Sequence, residues 1–395
     1  MSQPDRADVA IVGGAIIGSA VATFLAARSD FDGRIVVVER DPTYRTSSTT
    51  LSAASIRQQF STPLNIEISR FGIEVIKHLD RYLAVDGEVP EIDFVEGGYL
   101  FLATEAGRQA LEHNHAVQKR MDVPAALLSP AELRDRFDWL HTEDLAGGSL
   151  GLADEGWFDA YALLQAFRRK ARSLGVVERT GEVVDIERDG ARVTGVRLTD
   201  GARIGAEWVV NAAGPRAGEV AFMAGVDLPV RPRKRFVYHF DCRTGPGEAP
   251  LIVDPSGVYF RSEGPAYIGG YSPRSGDPDP DTLDLEVDRS RFETVMWPAL
   301  AHRVPAFESL RLLDAWAGHY EVNLLDHNAV VGPHPELTNL LFANGFSGHG
   351  LQQAPAVGRG LAEWIATGRY ETIDLAPFSF ARILSNEPIR EHQVV

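Results

Sequence analysis

Cysteine is almost missing from this 395-residue chain, with Cys242 as the only one. A single thiol excludes an internal disulfide framework and any cysteine-rich metal site. With no histidine or CxxC partner in its local sequence, Cys242 reads as inert packing, and no metal is expected. An excess of positive charge is missing too: 55 Asp and Glu stand against 39 Lys and Arg, a formal net charge of −16. So acidic a chain lacks the cations that neutralise phosphates, which excludes nucleic acid as a partner and disfavours an anionic membrane surface. Long apolar runs are missing as well. The first run, Asp8 to Ala27, is broken by glycine and too short to span a bilayer, so no membrane span is expected. Charges in "MSQPDRADVA" directly precede it, unlike a signal peptide, and a cytoplasmic location is the expectation. Repeats and low-complexity segments are also absent.

The composition that remains, 44% apolar and 24% charged, is ordinary for a globular enzyme. Asp8–Val12 reads as a strand, Gly13–Gly18 as a turn, Ser19–Arg28 as a small-residue helix and Arg34–Asp41 as a second strand buried on both faces. The turn "GGAIIG" departs from the dinucleotide fingerprint G-x-G-x-x-G in one place, where Ala15 replaces the middle glycine. Gly13 supplies the tight turn and Gly18 the close helix–strand packing. The helix N-terminus still offers free N–H groups and a positive dipole end to a pyrophosphate. Glu39 follows about 20 residues on, where an acid accepts the ribose hydroxyls and disfavours NADP. A dinucleotide site is expected here.

Further along, "RTSSTTLSAASIRQQFS" is expected to open a helix running to Leu83, and "SPAELRDRF" to begin a helix with a Ser129/Glu132 capping box. Residues from Val176 to Gly214 alternate as a β-meander ending on "WVVNAAG". The run Arg233-Lys234-Arg235 reads as a solvated or domain-bridging strand end.

The stretches "DVAIVGGAIIG…VVVERD", "TSSTTLSAASIRQQFS", "WVVNAAGP" and "LLFANGFSGHGLQQAPAVGRGLAEWIATG" together resemble the D-amino-acid-oxidase superfamily of FAD enzymes. Within it the chain is most similar to the monomeric-sarcosine-oxidase and FAD-dependent-oxidoreductase-domain branch, over nearly its whole length. The resemblance implies an α/β fold: a Rossmann-like, glutathione-reductase-type FAD-binding domain with an inserted antiparallel-sheet α+β substrate domain. The cofactor domain would comprise residues 1–88, 150–225 and 314–380, the substrate domain 89–149 and 226–313, and residues 381–395 a C-terminal tail.

Carried over position by position, the resemblance assigns the ADP half of FAD to Gly13, Gly14, Ala15, Ile17, Gly18 and Glu39, with Arg40 near the adenosine. Ser47 and Ser48 would lie by the pyrophosphate, the Val183 backbone against the adenine, and Ala213 and Gly214 along the cofactor. Gly345, Ser347, Gly348, His349, Gly350, Leu351 and Gln352 would wrap the isoalloxazine edge. Arg57 would bind a substrate carboxylate, a role that suits a planar guanidinium. Tyr259 would wall the substrate cavity, and His319 is a further candidate to face it.

The departures from the pattern matter equally. Gly318 falls where sarcosine oxidases attach FAD to cysteine, and no histidine lies between Glu39 and Phe60, so FAD is expected to be non-covalent. Tyr267 stands in place of the oxygen-activating lysine and Gln352 in place of a second carboxylate-binding lysine. The expectation is an FAD-dependent amine or amino-acid dehydrogenase rather than a fast oxidase. It would move a hydride from the carbon beside a neutral nitrogen to flavin N5, and the imine would then hydrolyse. A quinone, an electron-transfer protein or oxygen would reoxidise the flavin. A 2-hydroxy-acid or polyol dehydrogenase, and an assembly protein with vestigial chemistry, are the alternatives on the same frame.

Overall fold

The computed structural model describes residues 6–273 and 276–392, so the outermost residues of the expected first segment and of the tail lie outside it. The first strand, β1 (Arg6–Val12), leads through the glycine turn into helix α1 (Ile16–Ala26) and then into β2 (Ile35–Glu39). Both strands pair in parallel, and their residues are buried because helices cover one face and a meander the other. The sheet runs in the order Val330–Pro333, Leu340–Asn344, Arg203–Asn211, β1, β2, Val177–Thr180. Strands Val183–Asp189 and Arg192–Leu198 join Arg203–Asn211 as the expected meander.

Helix α1 crosses the C-terminal helix Gly350–Thr367 at close range, with Gly358 packed on the Ala20–Val21 backbone. A side chain at position 358 would meet Ala20 at 2.7 Å, so small residues on both helices set their separation.

The second sheet has eight strands and runs from Arg311–Asn323 through Val230–Asp241, Ala266–Tyr271, Val258–Glu263 and Leu251–Val253 to Tyr99–Ala103, Gly147–Gly151 and Ala125–Leu128. It is mixed rather than wholly antiparallel, because Leu251–Val253 runs parallel to Tyr99–Ala103. Strand Arg311–Asn323 pairs along its whole length with Val230–Asp241. Residues 314–323 therefore belong to the second sheet, not to the cofactor sheet as expected. Their pairing with a strand 80 residues upstream leaves no local mark in sequence.

Other expectations shift in smaller ways. The polar stretch before residue 62 does not open a helix; it holds turns and a two-residue strand, Ser55–Ile56, and helix α2 starts at Pro63 and runs to Lys77. The capping box forms, with the Glu132 N–H donating to Ser129 Oγ at 3.3 Å and the Ser129 N–H to Glu132 at 2.8 Å. The basic run is not solvated. Arg233 pairs with Asp279 and Asp281, Lys234 with Asp284 and Arg235 with Asp279, so an aspartate-rich loop lies along the strand.

The tail is likewise not loose. After a short helix, Ala381–Ser385, it returns across the first sheet's domain, and Glu391 accepts hydrogen bonds from the Ser61 N–H, the Thr62 N–H at 3.2 Å and Asn65 Nδ2 at 3.1 Å. Thr62 offers α2 no side-chain cap, and Glu391 instead fixes the turn that leads into the helix and sets a carboxylate near its positive end. Replacing Glu391 by alanine should cost about 1–2 kcal/mol; a thermal melt showing no loss would remove Glu391 from that role.

Candidate active site

A cleft of about 1360 Å³ of empty space runs from the glycine turn to the second sheet. At its first end, Gly13 has φ of +99°, and a side chain there would collide with the Ala212 carbonyl. Gly18 sits against the Gly13 carbonyl and has no room for a Cβ either. Ala15 is different: its φ of −67° is ordinary for any L-residue, and its methyl faces the cleft rather than another strand. The alanine is therefore accommodated without strain. Gly14 has its own constraint, since a Cβ would meet the Tyr44 hydroxyl at 2.6 Å. Its N–H donates to Glu39 Oε2 at 2.8 Å, while the Asp41 N–H donates to Oε1 at 2.8 Å. Glu39 thus braces the turn as well as lining the cleft.

Ile17, Arg40, Ser47, Ser48, Ala213 and Gly214 all line the cleft, as does Gly318. Arg40 is exposed and only loosely paired with Glu182, at 3.9 Å. Val183 is not among the lining residues; its side chain is buried in the core behind the sheet. The Ser48 hydroxyl is buried without a partner, an orphaned polar atom facing the space a pyrophosphate needs. Thr49 adds a hydroxyl that accepts from the Ile16 N–H at the start of α1, at 3.4 Å. A strand–turn–helix whose N-terminus opens on the cleft, a hydroxyl unpartnered among the described residues and an acid at the end of β2 fit a dinucleotide.

The loop Gly345–Leu351 closes the far end. Gly345, Ser347 and Gly348 have φ of +74°, +51° and +102°. Three left-handed residues in four reverse the chain sharply enough to start the next helix at Gly350 beside the cleft. Gly348, Gly350 and Leu351 line the space. Gly345 and Ser347 stand behind it, with Ser347 Oγ accepting from the Asn323 N–H at 3.1 Å and donating to the Gly345 carbonyl at 3.1 Å.

Gln352 is turned away. Its Oε1 accepts from the Arg57 N–H at 2.9 Å, so it positions that residue rather than facing a substrate. Tyr267 points to the opposite face of the second sheet, stacked on Phe240 in the buried core and absent from the cleft lining. The alternation of side chains along a strand sends it there. His319 does line the cleft, but its Nε2 donates to the Asp284 carbonyl at 3.1 Å and burial holds its pKa below the usual histidine value.

Arg57 stands beside the far end. Its guanidinium lies 3.8 Å over the Phe60 ring, donates to the Gln59 carbonyl and reaches His349 Nε2 at 3.1 Å. Burial, then the Arg57 charge, pushes the His349 pKa down to about 3, so the imidazole is neutral and accepts. Tyr99, Tyr320 and Tyr259 surround the same space, and burial raises all three phenols, Tyr99 to about 12.

Two buried acids were not legible as site residues. Glu155, with 0% exposure, accepts from the Gln58 N–H at 2.6 Å, the Gln59 N–H at 3.0 Å and Gln59 Nε2 at 2.8 Å, anchoring the segment that carries Arg57. Burial pushes its pKa up to about 7 against these bonds and the Arg57 charge. Glu321 lies on strand Arg311–Asn323, with burial raising it to about 8. A lone acid in the otherwise uncharged run "AWAGHYEVN" was the signal available for it. Outside the cleft, His141, Asp144 and His302 cluster, but Asp144 is already held by both terminal nitrogens of Arg303, at 2.9 Å each.

Two expectations follow from this geometry. Ala15→Gly should leave the bound dinucleotide in place, whereas Gly13→Ala should abolish its retention through gel filtration; the reverse order would mean the turn is built differently. Glu155 keeps its proton to a higher pH in the folded than in the unfolded chain. Its stabilising effect is therefore complete below the ordinary glutamate pKa and lost as pH rises through about 7. Thermal melts between pH 5 and pH 8 should show a stability loss that flattens in Glu155→Gln, by on the order of a few degrees; an unchanged slope would remove Glu155 as its source.

The comparisons agree with this geometry. The family model described as FAD dependent oxidoreductase (DAO) matches residues 8–364. The chain is 44% identical to the FAD-dependent oxidoreductase domain-containing protein 1 of Xenopus laevis, covering 99% of this chain and 85% of that protein. It is 29% identical to the glycine oxidase of Geobacillus kaustophilus, over 95% of this chain and 97% of the relative. Among solved structures, the L-proline dehydrogenase of P. horikoshii superposes with a TM-score of 0.86 at 26% identity, covering 98% of this chain and 100% of that one. This chain belongs to the DAO family of FAD-dependent oxidoreductases.

Proposed function

We propose that this protein is a dehydrogenase that oxidises the C–N bond of a carboxylate-bearing amine, of the N-substituted, imino-acid or D-amino-acid class. The observation that carries the reading is Arg57, a guanidinium set among the buried Tyr99 and the half-buried Tyr259 and Tyr320, with no acidic ion-pair partner among the described residues. Two of its five N–H bonds are spent on Gln59 and His349, and the remaining ones suit a carboxylate. Relatives named sarcosine dehydrogenase, glycine oxidase and L-proline dehydrogenase support the same class.

FAD, when bound, supplies the two-electron acceptor; the chain supplies everything that presents the substrate to it. Arg57 fixes the carboxylate and so the position of the α-carbon. The Arg57 charge and the desolvated surroundings that raise the Tyr99, Tyr259 and Tyr320 phenols disfavour a second cation, the ammonium, which leaves the nitrogen lone pair free as the C–H bond breaks. No side chain need act as base. His349 accepts from Arg57 at the nitrogen a proton would need, and burial lowers the His349 and His319 pKa values, which disfavours proton uptake by either. The iminium product hydrolyses in water to an aldehyde or keto acid and an amine.

No lysine is among the described residues lining the cleft, in keeping with a quinone or an electron-transfer protein, rather than oxygen, as the fast acceptor. Gly318 presents no side chain for covalent attachment, which supports non-covalent FAD.

Anaerobic mixing with N-methyl amino acids, imino acids and D-amino acids should bleach the oxidised flavin band. Bleaching by 2-hydroxy acids alone would replace this reading with hydroxy-acid oxidation, and none by any of these compounds would favour vestigial chemistry. Arg57→Ala should raise KM for a carboxylate-bearing amine about 100-fold, roughly 2–3 kcal/mol, while flavin content and the rate with the decarboxylated amine hold steady.

A further inference from the structure

Glu321 is a buried acid inside the cofactor cleft with no salt-bridge partner among the described residues. It lines the cleft, its residue is 8% exposed, and its Oε2 has no hydrogen-bond partner. The backbone N–H groups of Gly345 and Phe346, from the loop that closes the far end, favour its anion, but burial outweighs them. Arg235, the cation on the neighbouring strand that also lines the cleft, is committed to Asp279 at 2.7 and 2.9 Å. A carboxyl so placed is held as the neutral acid, because desolvation penalises its anion and no cation compensates. A neutral acid has one O–H to donate, and a buried donor left unmade costs free energy. Something that occupies the cleft must therefore accept it.

Position along the cleft narrows the acceptor. Glu39 and Gly13 mark the end that takes the ribose and pyrophosphate. Glu321 lies with Tyr320 and Gly348 at the opposite end, the end beside Arg57. We propose that Glu321 is a cofactor-binding residue, whose neutral carboxyl group donates a hydrogen bond from Oε2 to a carbonyl oxygen of the flavin ring system. Such a donor favours the reduced ring, where negative charge builds, over the oxidised one; a carboxylate anion in the same place would oppose reduction. Glu321 thereby tunes the readiness of the ring to accept electrons, whatever the substrate. The assignment rests on FAD as the cofactor and not on the amine reading, so the two can fail separately.

The test uses the holoenzyme and no substrate. Wild type, Glu321→Gln and Glu321→Leu are compared by FAD dissociation constant and by reduction potential against a reference dye. Glutamine keeps a neutral donor, so affinity and potential should stay close to wild type. Leucine removes the donor and should weaken FAD binding about tenfold and disfavour the reduced state by about tenfold, equivalent to about 30 mV for two electrons. A leucine variant matching wild type, or a glutamine variant whose potential rises as if an anion had been removed, would overturn the assignment.

Infrared difference spectra of wild type on flavin reduction give a readout that needs no stable leucine variant. A protonated-carboxyl band should shift on reduction and vanish in Glu321→Gln. If wild type shows no such band, the carboxyl is not the neutral donor.

Discussion

The structure depends on the contact between Gly13 and the carbonyl of Ala212. With φ of +99° and no side chain, Gly13 brings the end of β1 against the end of the neighbouring Arg203–Asn211 strand, 200 residues away in sequence. Gly18 then packs on Gly13 itself, which fixes where α1 begins and where its N–H groups point. The C-terminal helix is seated in turn, because Gly358 lies on the Ala20–Val21 backbone. Three segments that never meet in sequence are thereby gathered around one cleft, and steric exclusion rather than any strong bond does it.

On the other side of the cleft the organising groups, Glu155, Gln352 and Phe60, are withdrawn from water. Glu155 holds the backbone of Gln58 and Gln59, Gln352 holds the backbone of Arg57, and Phe60 lies under the guanidinium. Arg57 is thus placed by neighbours from three parts of the chain before any substrate arrives, a preorganised cation with its own countercharge left unsupplied. Burial works on the acids in the opposite sense, keeping Glu155 and Glu321 protonated where exposed acids would ionise. One low-dielectric region therefore holds an unpaired guanidinium together with acids whose neutral forms burial favours.

Much of this was legible from residues alone. The "GGAIIG" turn and Glu39 pointed to a dinucleotide cleft, since close backbone approach demands glycine in sequence as in space, while the "NGFSGHG" loop was assigned to it by family resemblance. Arg57 was likewise found from its short flanking motif. Tyr267 and Gln352 were not legible. The first sits on a strand whose alternation turns it into the core, and the second spends its amide on Arg57. The same holds for strand Arg311–Asn323, whose pairing partner no local pattern names.

Sequence by itself determined the α/β class, the glycine turn and the acid, Glu39, that stands beside it, because these follow from local backbone geometry and short-range spacing. Tertiary structure alone decided which way each strand residue faces, which polar groups lose water, and which of them meet across the cleft. Burial and pairing depend on segments hundreds of residues apart. For that reason the neutral carboxyl of Glu321, the anchoring role of Glu155 and the turn that Glu391 fixes before α2 come into view only when the chain is folded.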